Sequence, residues 1–214
     1  MTLSEILMSL VKVLAGLLVM AVAAAIQLLI LIALLPSRRA RAVSCNYWGK
    51  LVGPIMMRLT GCPLTVEGTE HLDASRPAIY IANHTSIIDV FLAIFLSPIG
   101  TVGVAKKEVV YYPFFGQMYW LSGHLRIDRG RRRRARKSLH GLGQLVRRHR
   151  LSIYIWPEGT RSRDGRLLPF KKGVLHLAIQ TGLPIVPIVV HGAHKSWQKS
   201  DLAIRSVPIR VEVL

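Results

Sequence analysis

Apolar and polar positions divide the chain into two regimes. From Val13 to Leu35 the sequence reads VLAGLLVMAVAAAIQLLILIALL, with Gln27 as its one strongly polar member. As a helix this run is about 35 Å long, enough to cross a hydrocarbon layer of about 30 Å with modest tilt. It exceeds the usual core of a signal peptide, and no small-residue cleavage pattern follows it. Arg38, Arg39 and Arg41 come after the run and only Lys12 stands close before it. By the positive-inside rule, the remainder of the chain lies on the cytoplasmic side. Between Ala42 and Thr60, the residues Trp48, Leu51, Val52, Ile55, Met56 and Leu59 recur at helical spacing. They predict an amphipathic helix in the membrane interface; a helix facing the domain core, or a hairpin dipping into one leaflet, fits the same spacing.

After Gly61-Cys62-Pro63 the period shortens. Strands are predicted at Leu64–Glu67, Ala78–Ala82, Thr101–Ala105, His124–Ile127, Ser152–Trp156, Ile185–Val190 and Val207–Val213. Helices are predicted at Ser86–Leu96, Tyr111–Leu121, Arg131–Arg148 and Gly173–Thr181. This alternation predicts an α/β domain over residues 61–214 with a central sheet flanked by helices, after an N-terminal membrane-embedded segment at 1–60. The chain stops within an apparent strand, Ile209 to Leu214, which predicts further sequence in the natural protein.

Composition narrows the classes. The 214 residues carry 29 Lys and Arg against 11 Asp and Glu, a net charge of +18, yet 51% are hydrophobic. A disordered basic tail would be poor in apolar residues. A basic and apolar protein suits an anionic membrane surface, with nucleic acid as the other polyanion to weigh. Cys45 and Cys62 make neither a disulfide framework nor a cysteine metal site, and a reducing compartment follows. His191 and His194 without a third ligand are weak grounds for a metal, so no metal site is expected.

Two segments carry chemistry. Asn83-His84-Thr85-Ser86-Ile87-Ile88-Asp89 follows the apolar run 78–82. Asp89 can accept a hydrogen bond from one imidazole N–H of His84, fixing the tautomer and leaving the other nitrogen as a base, while N–H groups at the helix start could steady an oxyanion. The bland alternative is a Thr85 or Ser86 helix cap beside a surface histidine. Trp156-Pro157-Glu158-Gly159-Thr160-Arg161-Ser162 also follows a predicted strand. Gly159 permits a tight turn and Arg161 offers a fork for phosphate or carboxylate; a surface Glu158–Arg161 pair is the alternative. There is no Gly-x-Ser-x-Gly elbow to supply an activated serine nucleophile.

Four blocks in order resemble the glycerolipid acyltransferase family, most closely the bacterial-type 1-acyl-sn-glycerol-3-phosphate (lysophosphatidate) acyltransferases. They are NHTSIID at 83–89, the 106–123 stretch with RIDR at 126–129, WPEGTRS at 156–162 and LPIVPI at 183–188. The resemblance implies His84 as base and Asp89 as its orienter. It implies Lys106, Lys107, Arg129, Glu158, Gly159, Thr160 and Arg161 around the acceptor's phosphate. The implied reaction moves a fatty acyl group from coenzyme A or acyl carrier protein to the sn-2 hydroxyl of lysophosphatidate, with no cofactor beyond that thioester substrate. The chain departs from the family pattern at Arg126, which has an aromatic counterpart, and at Trp156, which replaces Phe. Arg126 keeps another lyso-lipid acceptor open, and a non-catalytic basic binding protein is the third reading.

From Arg129 to Arg150 there is no acidic residue. The run lacks the aromatics and motifs of nucleic-acid binders, so anionic membrane lipid is the expected partner and nucleic acid is not. An acidic acyl carrier protein is a further partner that this charge admits. A tunnel from the membrane to His84 is expected, with Phe114, Phe115, Tyr119 and Trp120 as candidate walls; ordinary core packing is the alternative for all four.

Overall fold

The computed structural model describes residues 3–112, 115–128, 132–198, 201 and 203–214. Seven strands form one sheet in the order β1-β7-β6-β2-β5-β3-β4. They are β1 (Leu64–Glu67), β2 (Ile79–Ala82), β3 (Thr101–Lys106), β4 (Leu125–Ile127), β5 (Ser152–Ile155), β6 (Ile185–His191) and β7 (Ile209–Val213). Strands β6, β2, β5, β3 and β4 run parallel; β7 is antiparallel to β6, and β1 is parallel to β7. The parallel strands are buried on both faces, which is why β5 is buried at every position.

Alternating residues divide the core into two layers. Tyr80, Ala82 and Tyr154 face a cluster with α3 (Ile88–Leu96) and the two N-terminal helices, α1 (Leu3–Ala33) and α2 (Arg38–Thr60). Ile79, Ile153 and Ile155 face the opposite layer, built by α5 (Arg132–His149) and α6 (Gly173–Thr181). Two short helices, α4 (Phe115–Leu121) and α7 (Ala193–Ser196), are the remaining α-helices among the described residues.

Helix α1 is long and apolar enough to cross a membrane over Ser4–Ala33, and only 28% of its most apolar window is buried. It does not leave the domain at either end. Ser9 Oγ accepts the N–H of Ile204 and Lys12 Nζ donates to the carbonyl of Thr60. Towards its other end, Gln27 Nε2 donates to Ser44 Oγ. The helix therefore lies antiparallel along α2.

Helix α2 begins four residues before its expected start, because Ser37 caps it by accepting the N–H of Ala40, and it ends where Gly61 turns left-handed. Its apolar stripe splits. Val52 and Met56 are buried, whereas Leu51 and Ile55 are exposed with Tyr47. The buried face runs through Ala42, Asn46, Gly49 and Gly53 instead. A Cβ on Gly49 would stand 2.4 Å from the Ile94 carbonyl oxygen, so the glycines let α2 lie directly on α3. Asn46 also binds the start of β3, accepting the N–H of Thr101 and donating to its carbonyl. The helix thus presents one side to the domain core and an apolar stripe to the outside.

The helix expected over Tyr111–Leu121 is replaced by a 3-10 turn at Lys107–Tyr111 followed by α4. Tyr112 is extended, as the residue before a proline prefers. Helix α3 starts at Ile88 rather than Ser86 for a reason that belongs to the site.

Candidate active site

The carboxyl ends of parallel strands lie along one edge of the sheet, where α/β folds hold ligands. Strands β2 and β5 are neighbours, so the segments that follow them meet there although some seventy residues separate them. His84 follows β2, the WPEGTRS loop follows β5, Lys106 ends β3, and Asp128 follows β4.

His84 Nδ1 lies 2.9 Å from Asp89 Oδ2. The same oxygen accepts the backbone N–H groups of Thr85 (2.6 Å) and Ser86 (2.8 Å). An oxygen already accepting two N–H groups accepts from His84 as well, so the proton sits on Nδ1 and the lone pair on Nε2. Nε2 has no protein partner among the described residues, and the side chain of Asp89 is 1% exposed. Asp89 thus fixes both the loop and the ring. Burial, and after it the charge of Asp89, pushes the Tyr154 hydroxyl well above its ordinary value, so Tyr154 stays neutral beside the pair.

The second block clamps the first. Glu158 is 2% exposed; its Oε1 accepts the N–H of His84 at 2.7 Å and its Oε2 that of Leu168 at 2.9 Å. The N–H of Ser162 donates to the His84 carbonyl at 2.8 Å. Trp156 stacks on the imidazole with centroids 4.3 Å apart and planes 16° from parallel. Asp164 steadies this loop by accepting from the Ser162 hydroxyl and the Arg166 N–H, contacts that hold its carboxyl below the usual range, the Arg166 bond most.

Three expectations change. Both carboxylate oxygens of Glu158, expected at the acceptor's phosphate, accept backbone N–H groups, so the side chain positions His84. The N–H groups at the start of α3 are not free to steady an oxyanion. Those of Thr85 and Ser86 bind Asp89, that of Ile87 binds the Trp197 carbonyl, and that of Ile88 binds Ser86 Oγ. Among the tunnel candidates, Tyr119 is core, donating to the carbonyls of Gly103 and Leu125, and Trp120 is exposed. Phe114 and the side chain of Phe115 lie outside the described residues.

Cations gather at the same edge. Lys107 pairs with Asp128 at 3.2 Å, whereas Lys106 has no carboxylate partner among the described residues and stands over the Tyr112 ring. Gly159 holds a left-handed backbone (φ 71°), Thr160 is exposed, and Arg161 is half-buried with no carboxylate partner among the described residues. Arg129 lies outside the described residues. Lys171 is the residue that sequence reasoning missed here: its Nζ would be 2.9 Å from a Cβ on Gly159, and its N–H donates to the Pro157 carbonyl. No spacing rule links residue 171 to the 156–162 turn; only the return of the loop does. Arg126 projects from the face of β4 opposite the buried Leu125 and Ile127 and lies near Arg38.

A cleft of about 480 Å³ opens beside the site, between the ends of β2 and β6 and the 165–170 loop, with Asn83, Thr85, Leu167 and Phe170 among its walls. His191 pairs with Glu212 at 3.0 Å, while the His194 ring packs against Gly165, so the two imidazoles answer to different partners. Among the described residues, no group of three or more His, Cys, Asp or Glu side chains could hold a metal ion.

Known proteins are similar to this chain in sequence and in fold. Residues 63–191 match the Acyltransferase family. The chain is 45% identical over 207 residues to a 1-acyl-sn-glycerol-3-phosphate acyltransferase of Cocos nucifera, covering 97% of this chain and 67% of that protein. It is 47% identical over 113 residues to the protein of the same name from Escherichia coli (strain K12), covering 53% and 46%. The chain thus spans about two thirds of the plant relative and about half of the bacterial one. The crystal structure of the 1-acyl-sn-glycerophosphate acyltransferase PlsC from Thermotoga maritima matches 99% of this chain and 84% of its own with a TM-score of 0.80 at 21% identity, a likeness of fold. With its paired His84 and Asp89 inside the matched segment, the chain belongs to the Acyltransferase family.

Proposed function

We propose that this protein is a membrane-bound 1-acyl-sn-glycerol-3-phosphate O-acyltransferase, forming phosphatidate from lysophosphatidate and a fatty acyl thioester. The observation that carries the reading is the His84–Asp89 pair, with Nδ1 bound at 2.9 Å and Nε2 open. The names of the relatives supply the acceptor.

In this mechanism His84 Nε2 takes the proton of the sn-2 hydroxyl as its oxygen attacks the thioester carbonyl. The tetrahedral intermediate collapses with loss of the thiolate, which receives the proton from His84. A positioned base of this kind contributes about 10²–10⁴-fold. The thioester is already activated, so no acyl-enzyme forms. Lys106, Arg161 and Lys171, beside the Gly159 turn, hold the acceptor phosphate.

Helices α1 and α2 supply the membrane contact. Their exposed apolar side chains, among them Leu14, Leu18, Leu29 and Leu51, form an outward surface along the pair. Because α1 doubles back along α2, we assign the pair as a hairpin embedded in the cytoplasmic leaflet, with Arg38 and Arg39 at its turn. Each acyl CH₂ gains roughly 0.8 kcal/mol in the apolar phase, so catalysis beside the bilayer avoids drawing the chain into water.

The test is transfer of labelled palmitate from palmitoyl-CoA by purified protein in detergent, with lysophosphatidate, lysophosphatidylcholine and monoacylglycerol as acceptors. Phosphatidate as the dominant product supports the reading. Transfer only to another lyso-lipid moves the acceptor, and no transfer by folded protein ends the enzymatic reading.

A further inference from the structure

We propose that the outward face of α5 and the start of α6 is a docking surface for an acidic soluble protein that carries the acyl thioester; this rests on the acyltransferase reading above. Arg133, Arg136, Lys137, Arg147 and Arg148 are exposed on α5, and none pairs with a carboxylate among the described residues. No acidic residue stands in the first turn, so the basic cluster opens the helix at its positive dipole end, where cations are unfavourable. Within the cluster Arg134 pairs with Asp128, while Arg133, Arg136 and Lys137 meet no carboxylate among the described residues, and this surplus of positive charge points to an external anion.

The neighbouring helix adds an apolar component. Leu175 is 59% exposed and Ile179 83%, one turn apart on α6, with Phe170 at 51% and the exposed Lys172 before them. Leu139 of α5 packs where a Cβ of Gly173 would be, so the turns bearing Arg136 and Lys137 stand beside this patch. A basic surface with an apolar centre suits a protein face that is acidic around a few apolar side chains.

Placement decides between protein and lipid. Helices α5 and α6 cover the sheet face opposite to the one covered by α1 and α2. With the α1–α2 stripe in the bilayer, the sheet stands between the membrane and the first turns of α5 with α6, which are turned to water; only the far end of α5 meets α2, where Arg39 Nη1 donates to the His149 carbonyl. This departs from the expectation that the arginine run meets anionic lipid. The surface also begins at the catalytic edge, since Arg134 pairs with Asp128 directly after β4. A carrier seated there has its flexible thioester arm next to His84.

The test measures kcat/KM for the full chain in detergent with two donors, palmitoyl-acyl carrier protein and palmitoyl-CoA, at fixed lysophosphatidate. The combined variant Arg133→Glu, Arg136→Glu, Lys137→Glu is expected to lose about 10-fold or more with the carrier donor and less than about twofold with palmitoyl-CoA. Wild-type rates with the carrier donor are expected to fall between about 50 and 300 mM salt while the CoA rates hold. A second variant, Leu175→Asn with Ile179→Asn, is expected to show the same donor dependence without a change of charge. Equal losses with both donors, or none with either, overturn the proposal. So does loss of binding to phosphatidylglycerol vesicles with an unchanged carrier rate, which places lipid on this face. A wild type inactive with both donors overturns the acyltransferase reading itself; an active enzyme whose variants do not distinguish donors overturns only the docking surface.

Discussion

Glu158 accepts the backbone N–H of His84 at 2.7 Å from a loop that begins 72 residues after it, and so sets the position of the imidazole without touching a substrate. Glu158→Gln keeps the shape but turns an amide NH₂ towards one of two backbone donors, His84 N–H or Leu168 N–H. Leaving a buried donor unpaired costs about 1–3 kcal/mol. We expect a lower Tm and a kcat reduced about 10-fold or more, with KM for lysophosphatidate within about threefold. A rise in KM alone would return Glu158 to the acceptor site.

Trp156 presses its ring against the imidazole at 4.3 Å. An aromatic pair is worth about 0.5–1.5 kcal/mol beyond area burial. Trp156→Phe is expected to preserve most of kcat, and Trp156→Ala to lower it about 10-fold with little change in KM. The comparison is made at saturating lysophosphatidate, where positioning of the base rather than binding is read.

Lys106 and Lys107 are adjacent but not equivalent, because Asp128 engages only the second. Lys106→Ala is expected to raise KM for lysophosphatidate about 10-fold, and Lys107→Ala less than about threefold. Lys171→Ala is expected to behave like Lys106→Ala. With monoacylglycerol, which lacks the phosphate, none of the three should matter.

His124 Nδ1 accepts the N–H of Gly103 at 3.1 Å, a bond that needs the unprotonated nitrogen. Burial, and after it the charge of Arg38, lowers this imidazole from 6.5 to about 4. Between those values the unfolded chain binds more protons than the folded one. Stability is therefore complete above about pH 6.5, falls as pH drops towards 4, and levels off below. The loss is on the order of 3 kcal/mol. Denaturant titrations from pH 7 to 4 should show this slope, flattened in His124→Asn, whose amide oxygen accepts the same N–H without titrating.

How far the sequence disclosed this molecule depends on the range of the interaction. The alternation at 64–67 reads as an edge strand with one covered face, and the apolar run at 152–155 as a central one, because buried parallel strands are near-continuous apolar segments. The His84–Asp89 pair was equally legible, five residues being within one turn of chain. Glu158's bond to His84, the approach of Lys171 to Gly159 and the occupation of the Thr85 and Ser86 N–H groups were not, since each depends on which loops the sheet order brings together. The inner face of α2 misled for a related reason. Gly49 and Gly53 score as weak helix formers, yet their missing side chains are what admit α3.

The central claim is that His84 takes the hydroxyl proton in a direct attack on the thioester. Its most direct test is the steady-state rate of phosphatidate formation by His84→Ala against wild type, with both substrates saturating and folding checked by thermal melt. The mechanism predicts a rate at least about 10²-fold lower, with KM values little changed. A variant within a fewfold of wild type would contradict it and place the base elsewhere.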